Sequence, residues 1–173
     1  MKRYFFPLVA VVFSIFMPSC GDNPILDMDQ VEKSDLTTPL FLAYDNTLDQ
    51  SDKKVWAFNE TQAAKATITV MDNGNLRIKT DKYFDSWSYS GKILSLVSET
   101  KKETYELNQV SVLGYKAISF GTAYVCIPST NIGIRGVRYD DDWYNRGLTK
   151  TAFWDALRKS YTQNTSVDIT LNW

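Results

Sequence analysis

The chain has no histidine and only two cysteines, Cys20 and Cys126, in 173 residues. Without histidine there is no Ser-His-Asp or Cys-His catalytic set and no imidazole metal ligand. Two cysteines cannot build a zinc finger or a disulfide-rich scaffold. An excess of one charge sign is also missing, with 19 Lys plus Arg against 20 Asp plus Glu. Nucleic-acid binding needs a basic surplus to neutralise phosphates, so nucleic acid is excluded as a partner. The N-terminal apolar run Tyr4–Met17 has 14 residues, short of the ~20 that span a bilayer. Nothing in this composition calls for a cofactor or a resident metal. What is present is a 44% hydrophobic content, enough for one packed core.

Lys2 and Arg3 precede the apolar run, and Pro18-Ser19-Cys20 ends it. A positive start, a short apolar stretch and a small residue before a cysteine form a secretory signal. This arrangement resembles the signal peptides of bacterial lipoproteins, including those of Bacteroidota. The resemblance implies cleavage before Cys20 and lipid on its thiol and amine. Two or three acyl chains anchor a protein stably where one does not. Gly21 rather than Asp follows the cysteine, which in the Gram-negative members of that family implies the outer membrane. Residues 1–19 are thus expected to be signal peptide. Their removal takes away two basic residues and no acid, leaving the mature chain acidic by three. Residues 20–39 carry Asp22, Asp27, Asp29, Glu32 and Asp35 against Lys33 alone, and read as an acidic flexible tether. Residues 40–173 then form a single, mostly β domain.

Within that domain, Ala66, Ile68 and Val70 alternate with polar residues, as do Leu76 and Ile78 after Asn73-Gly74. Asn-Gly between alternating runs predicts a hairpin with a type I′ turn. Trp87 and Tyr89, Ile93–Val97, Tyr105 and Leu107, then Lys116–Ile127 continue as short strands. A phase change from Leu107 to Val110 predicts a bulge near Asn108-Gln109. Ile132–Tyr139 reads as a further strand and Asp140–Gly147 as a loop. Phe153, Leu157 and Tyr161 recur every four residues, predicting a helix over 151–163. Thr149 or Thr151 would cap it, Asp155 would pair with Lys159, and Asn164 would end it. Val167, Ile169, Leu171 and Trp173 alternate as a half-buried final strand.

The fold expectation is therefore mainly β with one C-terminal helix, arranged as an antiparallel meander. Strand order and Trp56 resemble the lipocalin-like domains, in which a tryptophan on the first barrel strand closes one end; Lys54 stands where that family has glycine. The resemblance implies a lipocalin-like barrel whose cavity holds a small apolar ligand. A two-layer β sandwich with a helix packed on it fits the same pattern.

Three kinds of function remain open. One is a non-catalytic binding domain for a small apolar ligand. The second is an interaction module for a glycan or an envelope protein, using Tyr139, Asp141, Asp142, Trp143, Tyr144 and Arg146. That set combines flat apolar faces with hydrogen-bonding groups, and it requires Trp143 and Tyr144 to be exposed. The third is a hydrolase with two carboxylates facing one cleft. Asp140-Asp141-Asp142 could also hold Ca²⁺, though no EF-hand spacing surrounds it. Cys126, between Val125 and Ile127, reads as a buried small hydrophobe rather than a nucleophile.

Overall fold

Short strands joined by tight turns return the chain antiparallel again and again, and this builds most of the molecule. The computed structural model describes residues 30–37, 41–43, 52–112, 114–129 and 143–172. A five-residue helix α1 (Lys33–Thr37) comes first. Nine strands follow: β1 (Phe41–Ala43), β2 (Asp52–Phe58), β3 (Ala63–Val70), β4 (Leu76–Phe84), β5 (Ser86–Ser90), β6 (Ile93–Val97), β7 (Lys102–Val112), β8 (Tyr115–Phe120) and β9 (Tyr124–Pro128). Helix α2 (Lys150–Gln163) and strand β10 (Val167–Ile169) end the described chain. The protein is thus mainly β, with one C-terminal helix. The strand order is β10-β4-β3-β2-β1-β9-β8-β7-β6-β5. Only Asp85 separates β4 from β5 in sequence, yet they lie near opposite ends of that order. Among the described residues no ladder closes the sheet into a barrel.

Burial shows the layering. Strand β2 is buried on both faces. Val55 and Ala57 join Ile68, Leu76 and Ile78 beneath Phe153 and Leu157 of α2. Trp56 and Phe58 pack instead with Trp87, Leu94, Leu96, Leu107, Phe120 and Cys126 from β5–β9. Strands β2–β4 therefore have α2 on one side and the β5–β9 sheet on the other. This layering agrees with a two-layer sandwich carrying a helix.

A bulge in β4 controls which side chains reach each core. Lys65 pairs with Lys82 but Ala66 with Thr80, so Asp81 is an extra residue. One inserted residue reverses the facing of everything after it. Leu76, Ile78 and Thr80 face α2 before the bulge; Tyr83 does so after it, while Phe84 joins the opposite core. The bulge expected near Asn108-Gln109 does not form, because the β7–β8 register runs without interruption from Leu107 to Val112. Strand β7 changes partner there instead, pairing with β6 up to Glu106 and with β8 from Leu107.

The turns differ from the expectation in one respect. Asp72-Asn73-Gly74 is a three-residue loop, closed by Met71 N–H to Asn75 O at 2.9 Å. Only Gly74 there has a positive φ, 83°, which suits a glycine ending such a loop. The two-residue turn with positive φ at both positions is Gly91-Lys92, at 54° and 70°, between paired Ser90 and Ile93.

Helix α2 starts as its cap residue requires. Thr149 is extended and its hydroxyl accepts from Ala152 N–H at 3.0 Å. Asn164 ends it in the left-handed region, φ 48°. The expected Asp155–Lys159 ion pair does not form. A polar anchor docks the helix on β4: Ser160 Oγ accepts from Thr80 N–H at 2.9 Å and donates to Thr165 O at 2.6 Å. Thr80 Oγ1 donates to Leu157 O at 2.9 Å. Strand β10 is shorter than the alternation predicts. Ile169 already sits opposite Leu76, the first residue of β4, so no ladder partner remains. Leu171 N–H turns to the Asn75 side chain at 3.1 Å, and Leu171 is still buried.

Residues 30–37, read from sequence as tether, pack on the domain. Leu36 is fully buried and Val31 nearly so, in the core that holds Trp56. Tyr89 Oη donates to Val31 O at 2.7 Å, and Lys33 Nζ lies 5.2 Å from the Trp87 ring centroid. Two apolar side chains in an acidic stretch are enough to bring it onto the core. The signal peptide, Cys20 and the predicted strand Ile132–Tyr139 lie outside the described residues. No described helix is long and apolar enough to cross a membrane.

Candidate functional site

The aromatic-acidic loop expected to bind a partner is placed in part. Tyr139, Asp141 and Asp142 lie outside the described residues, as does the whole Asp140–Asp142 run considered for Ca²⁺. Trp143 corrects the expectation of exposure. It is 1% exposed, in the core with Phe153, Leu157 and Leu171. The reason is a turn: Leu148 N–H bonds to Trp143 O at 2.9 Å and Gly147 N–H to Tyr144 O at 3.0 Å. That turn carries Trp143 and Leu148 inward together. Tyr144 is half-buried against the same core, and Arg146 is half-buried. Trp143 is therefore a packing residue in this fold, and the indole face is not offered to solvent.

A different surface brings chemistry together. Tyr83, Asp85, Ser98, Glu99, Thr100, Arg158, Tyr161 and Thr162 line a cleft of about 360 Å³. Three elements build it. The end of β4 supplies Tyr83, turned to this side by the Asp81 bulge. The β6–β7 turn supplies Ser98–Thr100, held by Ser98 N–H to Lys101 O at 2.9 Å. The last turns of α2 supply Arg158, Tyr161 and Thr162. The Tyr83 and Tyr161 rings stack at 5.9 Å between centroids and 25° between planes. Trp154 meets Tyr83 edge-on at 6.4 Å. Tyr161 is 44% exposed, and Asp85, Glu99 and Arg158 are exposed too. Burial pushes the Tyr83 phenol above its ordinary pKa, with Arg158 pulling the other way.

Spacing in the sequence marks Tyr161 only as a helix-face residue and gives Tyr83 no role. Their stacking depends on the Asp81 bulge and on how α2 docks, neither of which spacing reveals. Asp85 and Glu99 are separated by a hairpin in sequence and meet at this cleft only because β5 and β6 return the chain.

Between the two sheets, polar groups sit on an aromatic floor. Trp56 is fully buried and stacks on Phe120 at 5.5 Å and Phe84 at 6.0 Å. Tyr105 and Tyr124 meet it edge-on at 6.1 and 5.7 Å. Lys65, directly opposite Trp56 on β3, donates to Tyr124 Oη at 2.9 Å. Lys82 Nζ donates to Glu103 Oε1 at 2.7 Å and Tyr105 Oη to Glu103 Oε2 at 2.8 Å. Burial pushes Glu103 up, but these hydrogen bonds and the Lys82 charge bring its carboxyl below the ordinary value. Burial, then the Glu103 bond, drive the Tyr105 phenol well above its ordinary range. Trp56 Nε1–H is buried with no hydrogen-bond partner, a state that costs about 1–3 kcal/mol.

Cys126 lies on the same face, fully buried, and burial raises its thiol far above the usual range. A thiol held protonated is a poor nucleophile, in keeping with the reading of a small core hydrophobe. Among the described residues no group of three or more Cys, Asp or Glu could hold a metal ion. Compared with known proteins, the chain matches no family model, no curated protein and no solved structure.

Proposed function

We propose that this chain is a lipid-anchored lipoprotein of the outer membrane, tethered through Cys20, whose sandwich domain binds a glycan in the cleft between β4, the β6–β7 turn and α2. The observation that carries the reading is the stacked Tyr83–Tyr161 pair, which lines the same cleft as Asp85, Glu99 and Arg158. A sugar ring offers apolar C–H faces and a rim of hydroxyls. Flat aromatic rings match the faces, and carboxylates and a guanidinium match the rim. A lipid anchor with an acidic tether would hold such a domain where envelope glycans are met.

Binding is better supported than hydrolysis. Asp85 and Glu99 share the cleft, but both are exposed. A glycosidase needs one acid kept protonated by a desolvated pocket. A small apolar ligand has less support, because the rings of Trp56, Phe58, Phe84 and Phe120 pack against one another between the sheets. With that ring packing, the domain is read as a filled sandwich in preference to a lipocalin-like barrel around a cavity.

The test is calorimetric titration with a panel of envelope oligosaccharides. Tyr161→Ala should weaken the best of them about tenfold, equivalent to ~1.4 kcal/mol, with no loss of thermal stability. Unchanged affinity in that variant, or no binding across the panel, would overturn the reading.

A further inference from the structure

The cleft that holds the stacked Tyr83–Tyr161 pair is acidic. Asp85 and Glu99 line it against the single guanidinium of Arg158. Lys101 and Lys159 stand close by in sequence but do not line it. Neither carboxylate is spent on an ion pair, since the pairs formed among the described residues are Arg77–Asp168 and Lys82–Glu103. The Tyr83 phenol registers the same surroundings: Arg158 lowers its pKa, while Asp85 and Asp155, the latter one turn before Arg158 on α2, both raise it. The cleft also has room. Its volume of about 360 Å³ falls within the roughly 300–1,000 Å³ of small-ligand pockets, on the order of one or two sugar rings.

Resting on the glycan reading of this cleft, we infer that the sugar it selects carries a free primary amine: a hexosamine unit in its ammonium form, preferred over neutral and acidic sugars. One carboxylate in excess of the guanidinium matches one positive charge. An ammonium has three N–H donors and a carboxylate only accepts, and such charge-assisted bonds are about twice as strong as neutral ones. The exposed face of Tyr161 takes the apolar side of the sugar ring, and the same π face attracts a cation. Arg158, a donor only, is left for a hydroxyl or ring oxygen, and the hydroxyls of Ser98, Thr100 and Thr162 serve as either donor or acceptor. Acetylation of the amine removes its charge and leaves one N–H in a bulkier group. A uronic acid brings a third carboxylate beside two, and like charges facing each other in a site oppose binding.

The experiment titrates the full-length protein, in mildly acidic buffer that keeps amines charged, with three trisaccharides: β-1,4-linked glucosamine, its fully N-acetylated counterpart, and a galacturonate trimer. The glucosamine trimer should bind at least tenfold more tightly than the acetylated one, and the galacturonate trimer more weakly than either. Asp85→Asn and Glu99→Gln, both exposed and near-isosteric, should each lower that preference at least threefold, and added salt should narrow it. Tyr161→Ala should weaken the glucosamine trimer about tenfold. Equal affinity for the glucosamine and acetylated trimers, tightest binding of the galacturonate trimer, or a preference unmoved in both carboxylate variants would overturn the amine selection and leave the glycan reading standing. Spermidine, which has the charge and no ring, binding as tightly as the glucosamine trimer would overturn both, as would no binding of any trimer or full affinity in Tyr161→Ala.

Discussion

Trp143 and Trp56 show how much a single side chain's meaning depends on the backbone that carries it. Trp143 stands beside acidic residues in sequence, and that company suggests a surface. A six-residue turn, 143–148, nonetheless folds it under α2. Trp56 lies in the continuous apolar run Val55–Phe58, which suits a strand covered on both faces, but which elements cover each face is set by distant segments. Glu103 has a consequence that can be measured. Its folded-state pKa is depressed, so its contribution to stability is present above the unfolded carboxylate value and is lost as pH falls through the folded one. Below about pH 4.5, the ordinary value for this group, the Lys82–Glu103–Tyr105 set should weaken. Denaturant midpoints measured across that window should fall less steeply for Glu103→Gln than for the parent chain. Equal slopes would show that Glu103 is not linked to folding.

At the scale of elements, caps and turns were legible where the chemistry is local. Thr149 and Asn164 bound α2 as their side chains and φ preferences require. The hairpins at Asp72–Gly74 and Ser90–Ile93 fall where turn residues cluster. Lys92 is less expected, because a lysine at φ 70° adopts a conformation that costs a non-glycine residue roughly 1–2 kcal/mol. Lys92→Gly should stabilise the domain by up to about 1 kcal/mol, seen as a higher midpoint in urea; a lower one would mean that the lysine side chain holds the turn. The docking of α2 on β4 was not legible. It depends on Ser160 meeting the Thr80 N–H across the bulged strand. Ser160→Ala should leave that amide buried and unsatisfied and destabilise the protein by about 1–3 kcal/mol. Amide exchange at Thr80 should rise with it. If exchange at Thr80 stays slow, the helix is held by its apolar face alone.

At the scale of the whole molecule, residues 30–37 join the domain instead of the tether, because Leu36 and Val31 find the core. The proposed anchoring rests on Cys20. In cells that process lipoproteins, Cys20→Ser should abolish incorporation of labelled fatty acid and shift the protein to the soluble fraction. Labelling that survives the substitution would remove the lipid from this account.

The sequence by itself determined what depends on nearest neighbours. Periods of two and four residues set which segments become strand and helix, side-chain oxygens and glycines set where they stop, and a missing histidine set which chemistries are closed. The tertiary structure alone decided which apolar residues share a core, where β7 changes partner, and which distant side chains meet. Those outcomes follow from a one-residue bulge and a strand buried on two faces, and both are set by packing between segments far apart in the chain. For that reason the stacked pair Tyr83–Tyr161 and the opposed pair Trp56–Lys65 become visible only in the folded molecule.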